Sequence, residues 1–205
     1  MNKNGIIYTV VFSFIVTFLF VFILGVSYLL TKSKVDSYRE LSEKKSILSA
    51  FGYPVEDNKV ISEYNDKIKT IRIDGVDYLK SENGGKTVIG KKFTGSGLWG
   101  NISGVISITS DSSQIYGFEI TSHNETPGLG GRIEEPWFIN QFKGENISKG
   151  PLKMNKDSAS DKGDGDKKNG SFDTITGATQ TSNFLKIIIN NEISQLKKVT
   201  GKINE

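Results

Sequence analysis

A chain of 205 residues with 26 Lys and Arg against 23 Asp and Glu has a net charge of +3, room for one domain plus an appendage, and too little positive charge to point to nucleic acid. It contains no Cys, which excludes cysteine-ligated iron–sulfur clusters, disulfides and thiol catalysis within it. Its single His, His123, cannot build a His-rich metal centre and reads as a structural or loop residue.

In chain order, Met1 to Gly5 is a short tail. Ile6 to Leu30 then runs for roughly 25 residues without a charge, long enough to span a bilayer. The run is too long for a signal-peptide core and no small-x-small site closes it, so an uncleaved anchor is expected. Lys32, Lys34, Arg39, Lys44 and Lys45 follow the span while Lys3 precedes it, and counted literally this bias favours a cytoplasmic C-terminal part. Residues 31 to 52 continue as a helix with Leu41, Ile47, Leu48 and Phe51 apolar, ending at Gly52 before Pro54. A short helix is expected from Val60 to Lys67.

Strands dominate next. Thr70–Ile73 and Val76–Leu79 flank Asp74-Gly75, a strong hairpin signal. Asn83-Gly84-Gly85 turns into Thr87–Phe93, and Ile102–Thr109 pairs with Ile115–Thr121 around Asp111-Ser112-Ser113. Between these pairs lies GSGLWGNISG, Gly95 to Gly104, which fits G-x-G-x-x-G at Gly95, Gly97 and Gly100. A dinucleotide fingerprint needs a helix to open from it. The continuation instead alternates as a strand, so the dinucleotide reading is rejected. Trp99 in this run is either a core residue or a stacking surface.

HNETPGLGGRI, His123 to Ile133, is a Gly/Pro loop. Pro127 fixes its own φ while Gly128, Gly130 and Gly131 allow close approach to a ligand, with Leu129 presented outward among them. A short helix is expected at Trp137–Phe142. Residues 155–170, rich in Lys, Asp, Gly and Ser, cannot bury enough surface to offset their ordering entropy and are expected to be a mobile loop. DTITGATQTS, Asp173 to Ser182, leads into a helix patterned by Phe184, Leu185, Ile188, Ile189, Ile193, Leu196 and Val199. Thr181 or Ser182 is the expected cap. A helix N-terminus with hydroxyls beside it is a ready phosphate site.

Together these segments resemble the FMN-binding domain family, which includes the NqrC-like subunits of the sodium-translocating NADH:quinone reductase and the related G-type subunits of the Rnf electron-transport complex. DTITGAT is similar to the motif that a flavin transferase modifies, HNETPGLG with Trp137, Gln141 and Phe142 resembles the ETPGLG segment and its tail, and Gly95–Trp99 resembles a Gly-x-Gly-Leu-Trp run. Lys149-Gly150 resembles a Lys-Gly step ahead of the threonine motif.

The resemblance implies FMN joined covalently to the Thr179 hydroxyl through a phosphoester, with Asp173 serving recognition or positioning by the transferase. It implies a flavin site formed by Thr126 and Leu129 against the ring, with Glu125, Gly128, Gly130, Trp99, Lys149, Gly177 and Ala178 beside them. It also implies an α+β fold, an antiparallel sheet with packed helices behind one membrane anchor. The expected division is 1–5 tail, 6–30 span, 31–68 membrane-proximal helical segment and 69–205 FMN-binding domain.

The expected role is that of an electron-carrying subunit of a redox-driven ion pump, partnered by other membrane subunits and matured by a flavin transferase. No ion-binding residue lies in the span, so ion movement would belong to the partners. The resemblance places the domain outside the cytoplasmic membrane, against the charge count. Gly97-Leu98-Trp99 and the Lys44–Leu48 segment favour the NADH:quinone reductase branch over the Rnf branch as the nearer likeness. An anchored non-redox binding module is the rival class. A hydrolase using Glu125 or Glu134 with Thr179 lacks a base and a nucleophile elbow.

Overall fold

The computed structural model describes residues 5–54, 56–155 and 162–204. The chain divides into two compact units, Met1–Leu41 and Ser42–Glu205. From Ile6 onward the first is helix, the leading part of α1 (Ile6–Ala50). With 45 residues at 1.5 Å each, α1 is ~68 Å long. It is the one helix among the described residues that is long and apolar enough to cross a membrane. Its last turn is closed by Gly52, whose φ of 79° lies in the left-handed region. Tyr53 N–H donates to the Leu48 carbonyl (2.9 Å) and Gly52 N–H to that of Ser49 (2.9 Å), a Schellman cap.

In the second unit, α2 (Val60–Lys67) precedes five strands: β1 (Lys69–Ile73), β2 (Val76–Asn83), β3 (Lys86–Ser96), β4 (Asn101–Thr109) and β5 (Ile115–Ser122). They pair antiparallel in sequence order, so every connection in the sheet is a hairpin. The first turn has positive φ at both Asp74 (52°) and Gly75 (81°), and the second at Gly84 (58°) and Gly85 (74°). This backbone matches the right-handed twist of the strands it joins. After the sheet come α3 (Pro136–Asn140), a parallel pair β6 (Lys153–Asn155) and β7 (Ser171–Asp173), and α4 (Thr179–Asn204). This is the α+β architecture expected from the sequence.

Because side chains alternate across a strand, the sheet has two distinct faces. Ile89, Phe93, Ile102, Ile106, Ile108 and Phe118 join Leu185, Ile189, Ile193 and Leu196 of α4 in the main core. Each large apolar side chain buried this way contributes about 1.5–3 kcal/mol. The other face carries Gly90, Ser107 and Gly117, and the end of α1 lies close upon it. A Cβ at Gly90 would fall 2.9 Å from the Phe51 ring, one at Gly117 would strike the Ala50 carbonyl, and the Ser107 hydroxyl donates to that same carbonyl. Small side chains on this face are therefore what lets the helix approach the strands.

Two details differ from the sequence reading. β3 continues to Ser96, with Gly95 opposite Ile102, so the G-x-G-x-x-G run is the third hairpin of the sheet. A strand–turn–strand unit leaves no helix N-terminus there, in agreement with rejecting a dinucleotide loop. The C-terminal helix begins at Thr179, two residues before the expected cap. Residues 156–161 of the stretch expected to be a mobile loop, together with Met1–Asn4 of the tail, lie outside the described residues.

Candidate functional site

Three segments far apart in the chain meet at the carboxylate of Glu125. The turn between β3 and β4 is closed by Gly97 N–H donating to the Gly100 carbonyl (2.7 Å). The next two amides point inward, Leu98 N–H at 2.8 Å and Trp99 N–H at 3.1 Å from Glu125 Oε1. On the opposite side the Thr181 hydroxyl donates to Glu125 Oε2 at 2.7 Å. Glu125 is 3% exposed. Its burial is tolerated because both oxygens are met by donors.

Two glycines make room for that carboxylate. A Cβ at Gly97 would lie 2.5 Å from Glu125 Oε1, and one at Gly130 would lie 2.8 Å from Oε2 and 2.6 Å from Thr181 Oγ1. Ahead of it, His123 Nδ1 accepts the Glu125 N–H (3.1 Å) while Nε2 faces Glu134 Oε2 (3.3 Å). That pairing needs the Nε2–H tautomer, since Nδ1 serves as acceptor. The loop then folds on itself, the Thr126 carbonyl accepting from Leu129 N–H (3.1 Å) and Gly131 N–H (2.9 Å). Gly128 sits at φ 73° with open space around it.

The third segment runs from β7 into α4. Asp173 is bracketed by buried Gln141: its N–H donates to Gln141 Oε1 (2.8 Å) and its carbonyl accepts from Nε2 (3.1 Å). The Asn155 amide reaches its carboxylate at 3.2 Å. Phe172 beside it joins a ring cluster, tilted against Phe142 with centroids 4.9 Å apart and edge-on to Phe138. Ala178 rather than a hydroxyl residue stands at the helix entry, its carbonyl accepting the Ser182 N–H (3.1 Å). The Ser182 hydroxyl accepts from Ile175 N–H (3.2 Å) and donates to the Ala178 carbonyl (3.1 Å). Thr181 and Ser182 thus tie the entry turn to its surroundings instead of capping free helix amides, and both are buried.

What remains outward is a small group of side chains. Thr176, Gly177 and Thr179 are exposed at the mouth of α4, as are Thr126 and Gly128 in the loop. Among the large apolar residues of the second unit, Trp99 is 70%, Leu129 46% and Leu98 45% exposed. A Cβ at Gly177 would fall 3.3 Å from Leu129 Cδ2, so the Leu129 side chain lies over the Thr176–Ala178 turn. Glu125 and Gly130 form the inner support of this group, and Asp173 is buried behind it.

Lys149 is not brought to this group. It is exposed between Ile147, whose carbonyl accepts from Lys197, and Leu152, whose N–H donates to Asn190 Oδ1 (2.7 Å). Asn190 lies eleven residues along α4 from Thr179, ~16 Å at the helical rise. A short loop anchored that far up the helix leaves the lysine remote from its start.

The sequence offered Gln141 only as part of the tail after the Gly-rich loop and Thr181 as a helix cap, and gave no sign of their bonds to Asp173 and Glu125. A second buried polar group also went unnoticed. Glu145 is fully buried, with Oε1 accepting Gly170 N–H (2.8 Å) and Oε2 without a hydrogen-bond partner among the described residues. Burial pushes its carboxyl above the usual carboxylate range, against the Gly170 amide and the nearby Lys167 ammonium. Lys167 donates to the carbonyls of Asn140 (3.0 Å) and Gln141 (2.8 Å), and burial pulls its ammonium below the usual lysine range. No group of three His, Cys, Asp or Glu suited to a metal occurs among the described residues.

Residues 97–194 match the family model of the FMN-binding domain, a range that includes the three segments just described. Over 109 residues it is 32% identical to the NqrC component of the Na(+)-translocating NADH-quinone reductase of Pasteurella multocida, covering 51% of this chain and 40% of that protein. Over 138 residues it is 30% identical to the Vibrio vulnificus NqrC, covering 63% and 51%. The chain thus spans about half the length, or less, of these curated relatives. The crystal structure of the Parabacteroides distasonis NqrC superposes with a TM-score of 0.63 at 27% identity, covering 78% of this chain and 92% of that one. Shewanella oneidensis NqrC shares the fold, with a TM-score of 0.61 at 18% identity.

Proposed function

We propose that this chain is a membrane-anchored flavoprotein subunit that carries electrons through FMN bound covalently to Thr179, within a sodium-translocating NADH:quinone reductase. The observation that carries the reading is the meeting of an exposed hydroxyl on the first turn of α4 with exposed Trp99, Leu98 and Leu129 around one buried carboxylate. The parts suit the group. A helix N-terminus favours a phosphate by about 0.3–1 kcal/mol, and a flat ring system calls for apolar side chains left bare beside it. In this reading Thr179 holds the phosphate, Leu129, Thr126 and Trp99 border the ring, and Gly128 and Gly177 keep their turns low. FMN would supply one- and two-electron transfer, while the protein positions the ring and excludes water from one side of it. Thr179 is an attachment point and takes no part in electron transfer itself.

The remaining parts of the proposal concern place and partners. Ile6–Leu30 acts as a single-pass anchor, and residues 31–205 lie outside the cytoplasmic membrane. A covalent tether suits a compartment where free flavin is dilute, since lost cofactor would not be recaptured by mass action. Partners are the other membrane subunits of the pump and a flavin transferase. The relatives' names and the family match support this assignment.

The test is co-expression of the full chain with a flavin transferase, followed by denaturing electrophoresis and in-gel flavin fluorescence. Thr179→Ala abolishes the signal, and Thr179→Ser retains it because a hydroxyl remains. Full fluorescence from the Ala variant would overturn attachment at Thr179. Thr181 and Ser182 are buried, so exposed Thr176 would then be the next hydroxyl to examine.

A further inference from the structure

We propose that Glu125 is the positioning residue of the flavin site: its carboxylate holds the Leu98–Trp99 turn against the first turn of α4 and does not itself touch the flavin. The inference rests on the flavin reading above. Four observations point the same way. Glu125 is 3% exposed, so its side chain offers no surface to a ligand. Oε1 accepts both Leu98 N–H (2.8 Å) and Trp99 N–H (3.1 Å), and Oε2 accepts the Thr181 hydroxyl (2.7 Å). These bonds bridge 27, 26 and 56 positions of sequence, so they set tertiary rather than local geometry. Gly97 and Gly130 leave space for the carboxylate, which assigns those two glycines to Glu125 rather than to the ring.

The backbone of Glu125 is fixed as well, by its N–H on His123 Nδ1 (3.1 Å). Side chain and main chain together place Trp99, 70% exposed, at a defined distance from the helix start that carries Thr179. Without the carboxylate the two inward amides of the turn lose their acceptor. A buried unmet N–H is costly, so the turn would rotate toward water and take Trp99 with it. The amide of Gln can replace the carboxylate geometrically, its oxygen accepting the two N–H groups and its NH2 donating to the Thr181 hydroxyl.

The test uses the full chain in detergent with Trp137→Phe, which leaves Trp99 as the sole Trp. In the flavin-free protein, Glu125→Ala lowers Trp99 emission anisotropy and raises its quenching by iodide, while Glu125→Gln keeps both at the parent value. In the flavin-loaded protein, Glu125→Ala keeps the covalent flavin but loses at least half of its visible circular dichroism, and Glu125→Gln restores it. Parent-like values for Glu125→Ala in both forms would overturn the proposal. Should that variant not fold, Thr181→Val carries the test, since it keeps shape and removes one donor: a weakened visible band supports the role, an unchanged one overturns it. If no flavin attaches to Thr179, the flavin reading fails, and the Trp99 measurements on flavin-free protein still decide the role of Glu125.

Discussion

Gly130→Ala tests the packing of the site with a single methyl group. The glycine is not in the left-handed region, so alanine brings no backbone strain. Its Cβ would stand 2.6 Å from Thr181 Oγ1 and 2.8 Å from Glu125 Oε2, two atoms that are themselves hydrogen-bonded at 2.7 Å. The methyl therefore separates the pair or displaces the loop. Losing a hydrogen bond to a charged group costs about 1.5–3 kcal/mol, and overpacking adds about 1–3 kcal/mol. A total near 3–5 kcal/mol corresponds to a drop in Tm of roughly 10 °C for a unit of this size. Thermal unfolding of the full chain in detergent, followed by calorimetry, measures it. Gly165→Ala is the control: it has open space and no positive φ, and its expected change is within about 0.5 kcal/mol. Adding Thr181→Ala to Gly130→Ala should cost much less than Thr181→Ala alone, because the bond is already broken. A Tm for Gly130→Ala equal to that of the control would refute the account of the Glu125 cradle.

Leu129→Ala should leave covalent loading intact yet alter the flavin's visible spectrum or its quenching by iodide; if neither moves, this loop does not border the ring. Lys149→Ala should change neither loading nor spectrum, since the lysine sits beside the middle of α4, and a shifted flavin band would contradict that separation. Glu145→Gln tests the sign of a burial effect. Burial raises the folded carboxyl above its unfolded value, so its stabilising contribution is fully present below the ordinary carboxylate range and is lost as pH rises through the raised value. The wild type should therefore gain stability relative to Glu145→Gln as pH falls from 7 toward ~4, read from urea midpoints; a pH-independent difference would refute it. Fusing alkaline phosphatase and green fluorescent protein in turn to Glu205 reads the side of the membrane: active phosphatase with a dark fluorescent fusion is expected, and the reverse pair would place the domain inside.

The chain's local chemistry determined much of its architecture. An uncharged run from Ile6 to Leu30 can only be a helix that crosses apolar surroundings or is buried in them. Asp74-Gly75 and Gly84-Gly85 can adopt the left-handed pairs that tight hairpins need, and the period of Leu185, Ile189, Ile193 and Leu196 specifies a helix with one apolar face. These properties depend on neighbours within a few positions, and so they are readable in order along the sequence. The motifs around Trp99, Leu129 and Thr179 were legible in the same way, one segment at a time.

Their mutual arrangement was not. Nothing within reach of Glu125 in the sequence reveals that its carboxylate points inward to Leu98, Trp99 and Thr181, because those partners arrive only when the β3–β4 turn, the Gly-rich loop and α4 pack together. The same packing buried Thr181 and Ser182, moved the helix start to Thr179, and carried Lys149 up α4 although the sequence places it ahead of the threonine motif. A hydrogen bond or a burial depends on which surfaces meet in space, and the free energy that chooses those surfaces comes from the whole core beneath the site.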